Sequence, residues 1–365
     1  MELKKLTEVC SPKQWKTISQ TEMLPEGYPV YGANGIIGYY NEYNHENPTV
    51  LITCRGATCG TLNISKPFSY VNGNAMALDN VIEDVDEKYL YYYLQSRGLK
   101  DIISGSAQPQ ITIQSLTKVI VSYPSIEEQK RIVSMLDKAD EIRAKKKLAN
   151  DKLDEFLKST FISMFGDPKT NSKCLPLVKI KDLCTVQTGS TPKRDVESYY
   201  KDATIPWVKT GEVINQYIYG AEERISEKAI KETNCKLFPK DTILVAMYGQ
   251  GLTRGRVGML KIEASTNQAC AAILPSEKIN QEYLYNQLKI QYQTLRDYGR
   301  GGNQPNLNMD IVKNFEITIS PIEDQNKFAK IVEKVEAQKQ KNELVIEQMN
   351  NLFNSLSQRA FKGEI

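Results

Sequence analysis

Two sets of loops carry the side chains best suited to bind phosphates and base edges. Arginine can donate two hydrogen bonds to guanine, asparagine and glutamine can pair in the same way with adenine, and glycine lets backbone N–H groups approach a phosphate. In the first half of the chain the candidate DNA-binding residues are Asn34, Arg55, Thr58, Asn72, Asn74, Gln108 and Gln110. In the second half they are Lys193, Arg194, Lys209, Gln250, Arg254, Arg256, Asn267, Arg300, Asn303 and Gln304. These loops predict nucleic-acid binding, although turn chemistry on a solvated surface explains any one of the residues taken alone.

The run Arg254-Gly255-Arg256 is the strongest of these signals, because turn geometry alone poorly explains two guanidinium groups beside a glycine. Motifs for catalysis are weak. Asn47–Val50 lacks the aromatic residue that a methyltransferase uses to hold a flipped base, and no P-loop string occurs. Glu128–Lys130 fits the letters of a nuclease motif but falls in a predicted first helical turn, and His45 has no visible orienting partner for a general base. We therefore predict a non-catalytic protein.

Composition sets limits on the remaining possibilities. A chain of 365 residues exceeds the usual size of one hydrophobic core, so two domains are expected. The 47 basic and 44 acidic residues give a net charge of +3, so a polyanion site must come from local clustering. Seven scattered cysteines without a C-x-x-C pair, and one histidine, argue for reduced thiols and against a metal site. Without a signal core or a run of about twenty apolar residues, we expect a cytoplasmic protein with no membrane contact.

Two long stretches with helical periodicity position these loops. Ser125–Phe165 and Ile322–Phe361 each follow a proline, begin with an acidic turn and end before a glycine, as helix termini do. Their heptad registers coincide with an offset of 196 residues, as between Ile132 and Phe328, so we predict an antiparallel coiled coil between the two copies. Its pairing residues are Ile132, Met135, Ala139, Ile142, Lys146, Leu153, Phe156, Phe328, Ile331, Val335, Asn342, Val345, Met349, Leu352 and Leu356.

Lys146 and Asn342 occupy the same heptad slot near the middle of each helix, where an antiparallel pairing would bring them to similar height. Polar residues in such a seam can fix register and orientation at some cost in stability. A locally solvated seam explains them equally well.

The globular segments before each helix form a tandem repeat with divergent loops. The β-rich run Thr49–Ile64 is matched by Thr242–Ile262, and the aromatic helix at Glu87–Ser96 is matched by Gln281–Ile290. The tyrosines between positions 89 and 93 have a helical spacing that is more typical of core than of a stacking surface. The fold class is therefore α+β, with two mixed α/β domains in pseudo-twofold tandem separated by two long antiparallel helices. The predicted segments are a first domain at 1–122, a central helix at 123–166, a connector at 167–178, a second domain at 179–319 and a C-terminal helix at 320–365.

This arrangement resembles the DNA-specificity subunit of type I restriction-modification systems. The resemblance rests on Tyr123–Val133, its weaker copy Ser320–Gln325, and the glycine-polar turns Gly105–Gln108 and Gly301–Gln304. It implies that each globular unit is a target-recognition domain reading one half of a split, asymmetric site in double-stranded DNA, while the helices set the gap. It also implies two modification subunits and additional restriction subunits as partners. S-adenosylmethionine, ATP and Mg would then belong to those partners, with no cofactor on this chain.

Two other interpretations remain open. The chain could be the recognition portion of a single-chain restriction and methylation enzyme without its catalytic part. It could also be a protein-binding scaffold in which two β-rich domains lie on a coiled coil.

Overall fold

Two helices of 40 residues each begin and end at the predicted signals. In the computed structural model they span Ile126–Phe165 and Ile322–Phe361, with two carboxylates in the first turn of each. Gly166 (φ +81°) and Gly363 (φ +75°) follow them in the left-handed conformation that glycine adopts without a steric penalty. The helices match the two stretches with helical periodicity, except that the first helix begins one residue later, at Ile126. The structure describes residues 1–33, 35–105, 108–249, 251–299 and 306–364.

The other elements are short and lie before and between these helices. The first half contains β1 (Glu2–Lys5), α1 (Leu6–Val9), β2 (Ser11–Gln14), β3 (Tyr28–Gly32), β4 (Gly35–Tyr40), β5 (Val50–Thr53), β6 (Leu62–Ile64), β7 (Tyr70–Val71), β8 (Ala75–Asp79), α2 (Glu87–Arg97), α3 (Ile113–Leu116), β9 (Ile120–Tyr123) and α4 (Ile126–Phe165). The second half contains β10 (Leu177–Lys179), α5 (Ile180–Leu183), β11 (Val186–Thr188), β12 (Ile205–Val208), β13 (Tyr217–Ile218), β14 (Glu223–Ile225), α6 (Glu227–Glu232), β15 (Ile243–Ala246), β16 (Val257–Leu260), β17 (Ser265–Thr266), β18 (Cys270–Ile273), α7 (Gln281–Ile290), α8 (Tyr292–Asp297), α9 (Met309–Asn314), β19 (Glu316–Thr318) and α10 (Ile322–Phe361).

The sheets of the two halves share one topology. The order β2-β8-β5-β6 in the first half corresponds to β11-β18-β15-β16 in the second, where β13 adds a parallel edge strand. In the smaller sheets, β3 pairs antiparallel with β4 and parallel with β7, as β12 does with β14 and β17. Strand β1 pairs with β9 before α4, and β10 with β19 before α10. Equivalent strand order in both halves is what a duplicated unit produces.

The chain divides into two compact units, and each contains part of both long helices. The first unit comprises residues 1–148 and 342–365, and the second comprises residues 149–341. The predicted scheme treated the helices as segments separate from the domains. The units differ from it because helix side chains belong to the domain cores, such as Leu136 and Phe353 in the first unit and Phe161 and Phe328 in the second.

The aromatic helices α2 and α7 both contribute to core, as the tyrosine spacing predicted for α2. Tyr89 and Tyr283 are both fully buried. The hydroxyl of each tyrosine donates to a backbone carbonyl of the strand that precedes the long helix. Tyr89 donates to Ser122 O of β9 (2.8 Å), and Tyr283 donates to Thr318 O of β19 (2.9 Å). A buried tyrosine needs such an acceptor, so these rings are not free to stack on bases.

Within the first unit, the segments of α4 and α10 run antiparallel. Lys146 Nζ donates to Asn342 Oδ1 (3.3 Å), and one turn earlier in α4 Arg143 Nη1 donates to Asn350 Oδ1 (2.9 Å). The two polar residues that share a heptad slot therefore meet directly, and Asn342 is 2% exposed. A coiled coil over the full length of both helices stays a prediction.

The buried stripe of the helices differs from the predicted seam. Ile132, Ala139, Phe328 and Val335 are buried, and Met135, Leu153, Ile331 and Leu356 pack against the cores as expected. Val345 and Met349 are half-buried. However, Ile142, Phe156 and Leu352 are 40%, 50% and 44% exposed. The missed apolar core residues are Val133, Leu136, Leu157, Phe161, Phe165, Val332, Phe353 and Ala360. Each half of a long helix packs on a globular core. Such packing buries a wider apolar stripe on the helix than the two positions per heptad that a coiled-coil seam buries.

We expect substitution of Asn342 by leucine to lower the free energy of unfolding by about 1 kcal/mol, because the half-buried Lys146 ammonium loses its acceptor. The double substitution Lys146→Leu with Asn342→Leu should recover that loss, since apolar replacement of both partners removes the unpaired group. A double-mutant cycle by urea titration measures both. Additive effects of the two single substitutions would show that the pair is not coupled.

Candidate nucleic-acid interface

In the first unit, five predicted residues lie together at one end of the main sheet. Strand β5 ends at Thr53 opposite the first residue of β8, so the residues after β5 and before β8 share this edge. Backbone bonds join the loop at 54–60 to the segment 108–111: Gly56 N donates to Pro109 O (3.1 Å), and Arg55 and Gln110 form a β-bridge. We name this edge the first rim. Its exposed predicted residues are Arg55, Thr58, Asn74, Gln108 and Gln110.

Asn72 lies near the first rim but is turned inward. It is 2% exposed, its Nδ2 donates to Ile18 O (3.2 Å), and its Oδ1 accepts from Gly73 N (2.8 Å). Since both ends of the amide are used within the unit, Asn72 shapes the turn before β8 and is left out of the interface. Asn34 lies outside the described residues.

The second unit has an equivalent edge. Strand β15 ends at Ala246 opposite Cys270 of β18, and Met247 N donates to Ala269 O (2.8 Å). Arg254 and Arg256 lie in the loop between β15 and β16, while Asn267 precedes β18. We name this edge the second rim and define it by Arg254, Arg256, Asn267 and Arg296. Four other predicted residues, Gln250, Arg300, Asn303 and Gln304, lie outside the described residues.

The arginines of the second rim form a positive cluster. Arg254 is only 9% exposed, and its Nε has no hydrogen-bond partner among the described residues. No ion pair within those residues involves Arg254, Arg256 or Arg296. A nearly buried guanidinium without a carboxylate is costly, and an anionic ligand at the rim would offset that cost.

Arg296 was not among the predicted residues. It lies on α8, where its guanidinium donates to Tyr292 Oη (2.9 Å) and to Gly251 O, while Tyr292 Oη donates to Leu252 O (2.7 Å). The loop approaches α8 so closely that a Cβ at Gly255 (φ +84°) would lie 3.2 Å from Arg296 Cβ. Because Arg296 and Gly251 are 45 residues apart, no local spacing pattern pointed to this contact.

A second group of predicted cations is already paired. Arg194 contacts Glu223 (2.6 Å), and Lys209 contacts Glu222 (2.9 Å) and Glu223 (3.1 Å). Hydrogen bonds from Arg194 and Lys209 hold the pKa of Glu223 below its ordinary value. Lys209 is nevertheless near the second rim, because the next residue, Thr210, donates from Oγ1 to Asn267 Oδ1 (3.0 Å). Lys193 is exposed. Arg194 and Lys209 offer less free charge to a polyanion than the arginine cluster does.

His45 has the orienting partners that sequence inspection did not find. Its Nε2 lies 2.9 Å from Asp79 Oδ1 and its Nδ1 lies 2.7 Å from Asn44 Oδ1. Asp79 Oδ2 also accepts from Trp15 Nε1 (3.1 Å). Both ring nitrogens are therefore occupied within the first unit, and the histidine has a structural role in joining the 41–49 loop to β8.

Two further properties concern metals and membranes. Within the described ranges, no group of three or more histidine, cysteine or acidic side chains is arranged to hold a metal ion. None of the helices formed by those residues is both long and apolar enough to cross a bilayer.

A tandem α/β fold with two loop edges and two long helices is the architecture of specificity subunits, and the comparisons agree. A family model described as the type I restriction modification DNA specificity domain matches residues 1–152 and 176–348. The chain belongs to this family.

Individual relatives are distant. The specificity subunit of the type I restriction enzyme MjaIX from Methanocaldococcus jannaschii is 26% identical over 310 residues, which cover 78% of this chain and 70% of that protein. The EcoprrI specificity subunit from Escherichia coli is 34% identical over 113 residues, or 31% of this chain and 28% of that protein. The crystal structure of a type I S subunit from M. genitalium superposes with a TM-score of 0.65 at 16% identity, covering 99% of this chain and 96% of that one. That structural similarity establishes the shared fold.

Proposed function

We propose that this chain reads a bipartite DNA site, with the first rim contacting one half and the second rim the other. The observation that carries the proposal is the cluster of Arg254, Arg256 and Arg296, which has no carboxylate partner among the described residues and lies at a loop edge. Guanidinium groups in such a cluster suit phosphates and the O6 and N7 acceptors of guanine. Because the rims differ in residue type, the two half-sites differ in sequence, and the whole site is asymmetric.

The gap between the half-sites is set by the long helices. A helix of 40 residues is about 60 Å long at 1.5 Å per residue, which is longer than a small domain is wide. The antiparallel segments of α4 and α10 in the first unit, with their Lys146–Asn342 contact, support a paired coiled coil that spaces the two domains. Half-site spacing is then a geometric consequence of helix length.

Catalysis belongs to partner subunits. Exposed apolar side chains on the helical segments of the first unit, including Ile142 (40%), Leu148 (53%) and Leu344 (60%), support docking of modification subunits. Two such subunits would hold S-adenosylmethionine and methylate adenine, and restriction subunits would add ATP-dependent and Mg-dependent cleavage. A solved structure with the same fold (TM-score 0.53, 12% identity, covering all of this chain and 98% of that one) is described as the structural basis of complex assembly and conformational transition of the type I system.

Exchange of one domain tests this proposal. The complex of this chain with its modification subunits is expected to methylate a motif with two fixed half-sites and a fixed gap, seen by mapping modified adenines in cellular DNA. Replacing residues 1–123, which end with β9, by those of another family member should change one half-site only. A change in both half-sites, or a single uninterrupted motif, would contradict independent reading by the two rims. Failure of the assembled complex to bind duplex DNA would instead favour a protein-binding scaffold.

A further inference from the structure

One glutamine near the start of each long helix is buried and makes two equivalent hydrogen bonds in both units. Gln129 of α4 is fully buried and Gln325 of α10 is 1% exposed. They are 196 residues apart, as are Ile132 and Phe328. Neither residue belongs to a loop edge, so DNA contact does not explain them.

In the first unit, Gln129 joins α4 to the N-terminus of α2. Its Oε1 accepts from the backbone N–H of Asp86 (2.8 Å), the residue that caps α2. Its Nε2 donates to Asp84 O (2.8 Å) and to Pro124 O (2.9 Å). The side chain of Gln129 therefore connects the first turn of α4 with Pro124 and with the segment 84–86 that precedes α2.

In the second unit, Gln325 makes two of these three contacts, and the bond to Asp84 O has no counterpart. Its Oε1 accepts from the backbone N–H of Asn280 (2.9 Å), which caps α7, and its Nε2 donates to Ser320 O (2.7 Å). Asn280 Nδ2 also donates to Asn326 Oδ1 (2.9 Å). Two units whose loops have diverged keep the same contact between the same two elements.

The hydrogen bonds of Gln129 and Gln325 depend on the angle between each long helix and α2 or α7. The surrounding apolar core depends on that angle much less. Apolar packing is non-directional, and cores lose rigidity before they lose stability. A buried amide that both accepts and donates leaves backbone groups unpaired when either helix tilts. Gln129 donates two hydrogen bonds and Gln325 donates one. The two glutamines therefore oppose a tilt of α4 relative to α2 and of α10 relative to α7.

The geometry makes a small tilt matter at the rim. Asn74 precedes β8 at the first rim, whereas Asp84 and Asp86 follow the other end of that strand. The five residues of β8 place the rim about 17 Å from the contact at 3.4 Å per residue. A tilt of about 10° over that distance moves the rim by about 3 Å, close to the rise of roughly 3.4 Å for each base pair.

We propose that Gln129 and Gln325 are positioning residues that fix the angle at which each long helix leaves its recognition domain, and so restrict the gap tolerated between half-sites. The inference rests on the proposed function. It adds that gap selection depends on the two helix–domain junctions as well as on helix length.

Gap discrimination tests the inference. The complex of the full chain with its modification subunits is titrated with duplexes that carry the target site with the native gap, or with one base pair added or removed. For Gln129→Glu, which keeps the acceptor but loses both donors, we expect the preference for the native gap to fall by about tenfold, the value of one lost buried hydrogen bond. Half-site sequences should be unchanged. Gln325→Glu should act in the same way, and the double variant should discriminate least.

Lys130→Gln and Lys330→Gln are matched controls, because each makes the same change in charge at an exposed position of the same helix. Thermal unfolding by circular dichroism verifies that each variant is folded. If Gln129→Glu does not fold, Gln129→Met removes the donors without adding charge, and Gln325→Glu tests the other junction. Variants that keep the wild-type gap preference, or that lose affinity equally for all gaps, would overturn the inference. A wild-type complex without gap preference would overturn the proposed function itself.

Discussion

Replacing Arg254 and Arg256 together by glutamine weakens DNA binding by about a hundredfold and lowers the slope of log affinity against log salt by about 2, since each phosphate contact contributes roughly 0.9. The reason is that Arg254 and Arg256 both lie in the β15–β16 loop of the second rim, and Arg254 Nε has no hydrogen-bond partner among the described residues. Equilibrium binding of the assembled complex to its target duplex, measured between low and high salt, gives both quantities.

The same substitution should not lower the thermal stability of the free chain. Arg254 is 9% exposed, and its Nε has no hydrogen-bond partner within the described part of the chain, so its charge is a cost to the unliganded fold. Lys181→Gln with Lys278→Gln is the matched control: it removes two charges from exposed positions at the opposite end of the same sheet. If the control changes the salt slope as much as the arginine pair does, then net charge and not the second rim accounts for the effect.

Substitution of Phe161 by alanine lowers the free energy of unfolding by about 3–5 kcal/mol, as expected when a large aromatic side chain is removed from a packed core. Phe161 is fully buried, and its ring centroid lies 5.0 Å from that of Phe165 and 5.3 Å from those of Tyr283 and Phe328. Denaturant titration followed by circular dichroism measures the change.

Phe156→Ala is the control for this experiment, since it makes the same substitution on the same helix at a residue that is 50% exposed. A change within about 0.5 kcal/mol is expected there. The two variants also decide between the heptad assignment, which places Phe156 in the seam, and the observed packing, which buries Phe161. If Phe156→Ala lowers the free energy of unfolding as much as Phe161→Ala does, or more, the result would favour the heptad assignment over the observed packing.

The sequence alone was sufficient for the features that depend on neighbouring residues. Acidic first turns, closing glycines and 3.6-residue periodicity located both helices at Ile126–Phe165 and Ile322–Phe361. The spacing of the tyrosines indicated that α2 is a core helix. Such signals are local because a helix terminus or an apolar stripe is determined by residues within a few positions of one another.

Tertiary structure decided which predicted side chains are free to bind a ligand. Arg194 is paired with Glu223, and Asn72 is turned inward. Arg296 joins the second rim although it is 45 residues from Gly251, the loop residue that it contacts. The buried stripe of each helix also depended on the domain that it packs against, which a heptad pattern does not contain. These outcomes follow from contacts between residues distant in the chain, and the type and spacing of residues do not specify which distant groups will pair.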